Sequence, residues 1–420
     1  MLLVVSLLSF QLFSQYENVR IDEQDGRISY PPCEPSIAIS PVDPSIQVAG
    51  AILDRFYFSS DSGRTWMEGG LESNHGVFGD PCVVAGPKGD FYYLHLSDPS
   101  GDGWADSRIL DRIVCHRSKD GGKSWNDGSG IGLNTPKDQD KEWAAVNKSG
   151  KRIVTTWTQF DQYASTASVD SSVIMFSRSN RCAKKWSSAK RINRIAGDCE
   201  DDDLTVEGAV PTFGPKGEIY VAWALGEKIY FDRSFDNGKT WLDRDKIASD
   251  IVGGWDQDIP GISRCNGMPV TMCDMSNGPN HGRIYINFVD TRNGDHDVWL
   301  VYSDDHGDSW SEAVKVNTDD SHRDQFFTWL AVDQTNGWLY TVFYDRRNYT
   351  TERTDVVLGV SRDGGQTFTN EVISESPFEP SESVFFGDYT NISAHDGVIR
   401  PIWTRCDGNQ LSIWTAIINE

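Results

Sequence analysis

One phrase recurs along this chain: a serine, an aspartate two residues later, a glycine four residues later, then a hydroxyl side chain and an aromatic. It first stands as Ser59, Asp61, Gly63, Thr65 and Trp66. It returns as Ser118, Asp120, Gly122, Ser124, Trp125, and as Ser234, Asp236, Gly238, Thr240, Trp241. Two later copies are Ser303, Asp305, Gly307, Ser309, Trp310 and Ser361, Asp363, Gly365, Thr367, Phe368. The chemistry is that of a tight β-turn. The carboxylate accepts hydrogen bonds from turn amides, the glycine takes a positive φ, the hydroxyl bonds the carboxylate and the aromatic packs inward. A worn copy, SNRCAKKW, keeps only Ser179 and Trp186 but falls where the period requires one, so six hairpins are implied.

The aromatics closing these phrases recur at roughly 55 to 70 residues, the length of four short strands with their loops. Before each lies a second phrase that reads as a buried strand: EPSIAIS from Glu34, DPCVVAG from Asp80, KEWAAVN from Lys141, EGAVPTF from Glu207, MPVTMCD from Met268 and QFFTWLA from Gln325. An apolar strand such as EIYVAWA or WLYTVFY follows most of them. The pattern returns once more from Ser383, through a strand ending at Arg405 and another ending at Ile418, and the chain stops before a fourth. The segment YENVRID near the N-terminus can supply that strand, closing a ring without an exposed sheet edge. The expectation is an all-β, seven-bladed β-propeller of four-stranded antiparallel blades. A six-bladed ring is the alternative, and it would leave the terminal strands as an appended sheet.

The hairpin phrase resembles the Asp box, S-x-D-x-G-x-T-W, of the sialidase superfamily. That resemblance implies a turn between the outer strands of a blade, remote from the active centre, so none of its aspartates is a catalytic candidate. It implies a glycoside hydrolase for an acidic sugar, exo-acting on terminal α-linked sialic acid, with an arginine triad on the substrate carboxylate, a Tyr-Glu nucleophile and a separate Asp as acid/base. Two features depart from the family. Sialidases resemble six-bladed propellers, and their N-terminal arginine motif is replaced here by ISYPPCEPS from Ile28, with Arg27 and Arg55 as the nearest substitutes.

In a propeller, residues just before the axial strand and just after the second strand meet at one face. Second strands end in Asp290 and Arg292, in Asp345, Arg346 and Arg347, and in Arg405. Converging guanidinium forks bind a carboxylate through paired hydrogen bonds, so Arg292, Arg347 and Arg405, with Asp290 and Asp345, are the substrate-binding candidates. The alternative is that these arginines and aspartates are local loop ion pairs. Axial-strand starts add Glu34, Asp80, Glu142, Glu207 and Asp388 with Tyr389. Glycoside cleavage needs an acid for the leaving oxygen and a second carboxylate, or a phenol activated by one. By role, Tyr389 with Glu207 forms the nucleophilic pair and Asp80 the acid/base. His95 and His322 are candidate bases for a second enzyme class, a polysaccharide lyase acting on uronates. A non-catalytic carbohydrate- or protein-binding propeller is the third reading.

A formal charge of −23 repels phosphate backbones and anionic surfaces, which argues against nucleic acid as a partner; the partner that the resemblance implies is a glycan or glycoconjugate. The apolar opening run is too short to span a membrane, so residues 1–15 read as a signal peptide and 16–420 as one propeller domain, secreted, periplasmic or on the cell surface. Eight cysteines show no CxxC pair and no zinc spacing; Cys265 with Cys273 and Cys33 with Cys406 are the pairs to check for disulfides. No cofactor and no catalytic metal are required. Two acidic loops, Asp98 to Asp106 and Gly197 to Asp203, are candidate sites for structural calcium, with a solvated acidic turn as the alternative for each.

Overall fold

Glycine-punctuated apolar runs, alternating with turn phrases, leave this chain few options but short antiparallel strands. The computed structural model describes residues 15–24, 30–180 and 182–420. The run read as a signal peptide, through residue 14, and Arg27 lie outside the described residues. The strands form seven separate four-stranded sheets, each meandering outward from an axial strand. The axial strands are Ser36–Ile39, Cys82–Ala85, Asp138–Val146, Glu207–Phe213, Val270–Cys273, Gln325–Val332 and Asn391–His395. Each packs beside the next, and the last beside the first, so the sheets close into a seven-bladed β-propeller. Numbered by axial strand in chain order, these are the first to seventh blades.

The termini close the ring as the incomplete seventh repeat requires. Glu17–Glu23 pairs antiparallel with Gln410–Asn419 and becomes the outermost strand of the seventh blade. Among the described residues no helix is long and apolar enough to cross a membrane, and Gly103–Ala105 forms a short 3-10 turn. All eight cysteines are free thiols, so neither Cys265 and Cys273 nor Cys33 and Cys406 are bridged.

The repeated hairpin phrase staples neighbouring blades together. In the fourth blade Ser234 Oγ donates to Asp236 at 2.9 Å, and the same carboxylate receives the Thr240 amide at 2.8 Å. Gly238 accepts no substitute, because its φ is +75° and an added Cβ would lie 2.3 Å from the Phe176 ring of the preceding blade. Trp241 then meets that ring edge-on at 5.0 Å, and Trp310 repeats the contact on Phe231 at 5.1 Å. The worn copy keeps the backbone path: Ala183 occupies the glycine position with a φ of 61°. The closing aromatics are thus seated wholly (Trp241, Phe368) or partly (Trp66, Trp125, Trp186, Trp310) out of water, and removed apolar surface contributes about 25 cal/mol per Å².

Candidate active site at the mouth of the axial channel

The axial strands begin with unusual backbone. In three blades the strand carries a bulge in which two residues face one on the neighbouring strand: Lys141 with Glu142, Gly208 with Ala209, and Phe327 with Thr328. Glycine suits the first bulge position at Gly208, but Lys141 and Phe327 hold the same left-handed conformation, at φ 53° and 48°. Glu34 and Asp80 do likewise, at 54° and 51°, just before the first two axial strands. Left-handed backbone costs an L-residue about 1–2 kcal/mol, and such strain concentrates where side chains must be aimed. Here it turns Glu34, Asp80 and Lys141 toward one mouth of the channel.

Asp388, preceding the axial strand of the seventh blade, is the hub of that mouth. Arg264 Nε donates to its carboxylate at 2.9 Å, and Arg264 Nη2 and Lys141 Nζ both donate to its second oxygen. Asn266 fixes the backbone by donating to the Asp388 carbonyl at 3.0 Å. Lys141 Nζ lies 3.9 Å from Asp80, which is also hydrogen-bonded to Glu34. On the other side, Arg264 Nη1 donates to Asp201 at 3.2 Å and to the Tyr163 hydroxyl at 3.5 Å. Tyr163 in turn donates its phenolic proton to Asp201 at 2.6 Å. One connected network therefore holds two cations, several carboxyl groups and a tyrosine, contributed by six blades or the loops entering them.

The environment separates these acids. Burial disfavours ionisation of Asp388, but Arg264 and Lys141 outweigh it and hold the carboxyl down at about 2. Burial pushes Asp80 up, with Lys141 opposing and Asp388 adding to the rise. Glu34 is pushed up strongly by burial, then by Asp80 and Asp388. Asp140 is raised to about 7, chiefly by burial. The Tyr163 phenol is also raised, by burial first and then by Asp140 and Asp201, so it stays protonated until a base takes its proton.

Tyr389 and Glu207 lie deeper. Tyr389 is buried edge-on against Trp143 at 5.0 Å and near Trp329 at 6.2 Å, while the two indoles lie 4.3 Å apart. These three rings plug the channel. Beyond them lies an apolar cavity of 280 Å³ lined by Ile37, Val83, Val210, Ala331 and Ile392. Neither the Tyr389 hydroxyl nor the Glu207 carboxyl has a hydrogen-bond partner among the described residues. Burial, then Asp201, raises Glu207 well above the ordinary carboxylate range, so above that ordinary value folding draws a proton onto it. Above its unfolded value the contribution of Glu207 to stability therefore falls as pH rises. Glu207→Gln is expected to flatten that decline by about 1.4 kcal/mol per pH unit between the unfolded and folded values, measured by denaturant titration at several pH values.

The structure does not bring Arg292, Arg347 and Arg405 into a shared contact. Arg292 forks onto Asp290 at 2.9 and 2.6 Å and reaches the Asp250 carbonyl at 3.0 Å, on the outermost strand of the preceding blade. Arg347 pairs with Asp345 at 2.7 Å and with Asn370 at 3.0 Å on the outermost strand of its own blade. Arg405 pairs with Asp407 at 2.7 Å and with the Ser376 carbonyl at 2.8 Å. Arg55 faces Asp22 of the closing strand at 3.3 Å. The cations at the mouth are instead Arg264 and Lys141; Lys141 opens the third axial phrase of the repeat, whereas Arg264 lies outside every repeated phrase.

His95 is buried within the second blade, 2.9 Å from His116, and burial followed by that neighbour lowers it to about 3. His322 is exposed, 3.4 Å from Asp295. Among the described residues no group of three or more His, Cys, Asp or Glu side chains could hold a metal ion. Both acidic loops close on themselves or on the mouth. Asp198 receives Thr205 Oγ1 at 2.8 Å, Asp201 serves Tyr163 and Arg264, and Asp203 receives the Asp256 amide at 2.9 Å.

No protein-family model matches the chain. Solved structures resemble it over nearly its whole length at low identity. An ulvan lyase solved bound to -[GlcA(1-4)Rha3S]- is 12% identical, with a TM-score of 0.57, covering 96% of both chains. An α-L-arabinofuranosidase from Fusarium graminearum is 11% identical, with a TM-score of 0.52, covering 97% of this chain and 98% of its own. A Hadza microbial sialidase is 14% identical, with a TM-score of 0.50, covering 90% of this chain and 74% of its own. At these identities the likeness is one of fold, and the chain is a seven-bladed β-propeller with a charged, strained channel mouth.

Proposed function

We propose that this protein is a glycan-cleaving enzyme, a glycoside hydrolase acting at an acidic sugar, with sialic acid the first substrate class to test. The observation that carries the reading is the Tyr163–Asp201 hydrogen bond of 2.6 Å beside the half-exposed Arg264. A phenol next to a carboxylate base is an activated nucleophile, and a guanidinium within reach of both is a seat for a sugar carboxylate. Asp80, raised and bonded to Glu34, is the acid/base. In this scheme the Tyr163 oxygen attacks the anomeric carbon as its proton passes to Asp201, and Asp80 protonates the departing oxygen. Water deprotonated by Asp80 then displaces the tyrosine, which recovers its proton from Asp201.

The strained placement of Asp80 and Lys141 supports this reading, as do the glycan-cleaving activities for which the three similar propellers are named. Export, with a substrate met outside the cell, belongs to the same proposal. The test is release of free sialic acid from mixed α-linked sialosides by wild-type protein and by Tyr163→Phe, with ultraviolet absorbance followed on uronate polymers. Release that falls at least about 100-fold in the variant is expected. Absence of release from wild type overturns the sialidase reading. A rise in absorbance would then identify a lyase, and silence in both assays a binding propeller.

A further inference from the structure

Beside the mouth stands a large apolar side chain that the chemistry above does not use. The loop from Asp98 to Asp106 is acidic enough to suggest a cation, yet the Asp98 carboxylate is spent on its own turn. It accepts from Ser100 Oγ and the Gly101 amide at 3.1 Å each and from the Gly103 amide at 3.0 Å. A neighbouring loop seats directly on it, since a Cβ at Gly76 would lie 1.6 Å from the Asp98 carbonyl oxygen. This rigid turn lifts Trp104 into solvent, where it is 58% exposed. Its indole stacks on Tyr163, with centroids 5.5 Å apart and planes 29° apart, and takes the edge of Phe78 at 5.7 Å.

We propose that the open face of Trp104 is a subsite for a second sugar ring, adjoining the ring held at Tyr163, Asp201 and Arg264, so that the substrate is a glycan chain rather than an isolated glycoside. This inference rests on the reading of the mouth as a glycan-cleaving site. The C–H face of a pyranose carries partial positive charge that suits the negative face of an aromatic ring. Phe78 and Tyr163 already hold the indole, so little ordering cost remains on binding. The half-exposed Phe385 ring lies with its centroid 5.2 Å from the Arg264 guanidinium.

The experiment compares binding of free sialic acid and of a sialylated tetrasaccharide by titration calorimetry, in protein carrying Asp80→Asn so that cleavage is slow on the timescale of the titration. The tetrasaccharide is expected to bind at least tenfold more tightly than the monosaccharide. Adding Trp104→Ala is expected to abolish that advantage while the melting curve is retained, and Trp104→Phe to restore most of it. Equal chain-length dependence with and without the indole overturns the subsite while leaving the active-site reading intact. Failure of both ligands to bind the Asp80→Asn protein overturns the acidic-glycan reading and the subsite with it.

Discussion

Asp388→Ala is expected to destabilise the propeller by about 3–5 kcal/mol, because it removes the anion that compensates a buried Lys141 and one face of Arg264. Lys141 is only 5% exposed at its side chain and Asp388 1%, so water cannot replace the lost partner. Guanidinium denaturation at pH 7 measures the effect. Its pH dependence has a definite sign. Asp388 is held at about 2 against an ordinary 3.8, so its contribution is complete above the ordinary value and disappears as pH falls through about 2. The variant should therefore differ most from wild type at neutral pH and converge with it in strong acid. An Asp388→Ala protein as stable as wild type at pH 7 would remove the hub from its central place.

Asp80→Asn is expected to reduce glycoside turnover by about 10²–10⁴-fold, the span attached to removal of a positioned acid/base. Its carboxyl is raised by burial, so the proton donor survives above the ordinary carboxylate range. In wild type, kcat/KM should fall on the alkaline side as that proton is lost, and the variant should lack that limb. The measurement is a pH–rate profile on the sialoside that wild type cleaves. A profile that keeps its alkaline limb in the variant would move the acid role to another group, with Asp140, raised to about 7, next in line.

Much of the site's neighbourhood is legible in the sequence. Glu34, Asp80, Glu142, Glu207 and Asp388 were placed at axial-strand starts from the repeat alone, and the first two meet Asp388 and Lys141 in one network. Tyr163 could have been found by the same rule. It follows the second strand Ile153–Phe160 of the third blade, the position class that drew attention to Arg292 and Arg347. Arg264 carried no comparable signal. It lies in an irregular loop well before its axial strand, and its partners Asp201 and Asp388 are 63 and 124 residues away.

The sequence by itself determined the seven-fold repeat, the closing of the ring by its two ends and the hairpin staples, because each is a local pattern of turn residues and strand periodicity repeated along the chain. Which charges meet was decided only in three dimensions. Coulomb attraction falls with distance, and a guanidinium in a loop pairs with the nearest carboxylate that desolvation allows. For Arg292, Arg347 and Arg405 that partner is a neighbour two residues away in sequence. For Arg264 and Lys141 it is Asp388, brought to them by closure of the propeller around its axis.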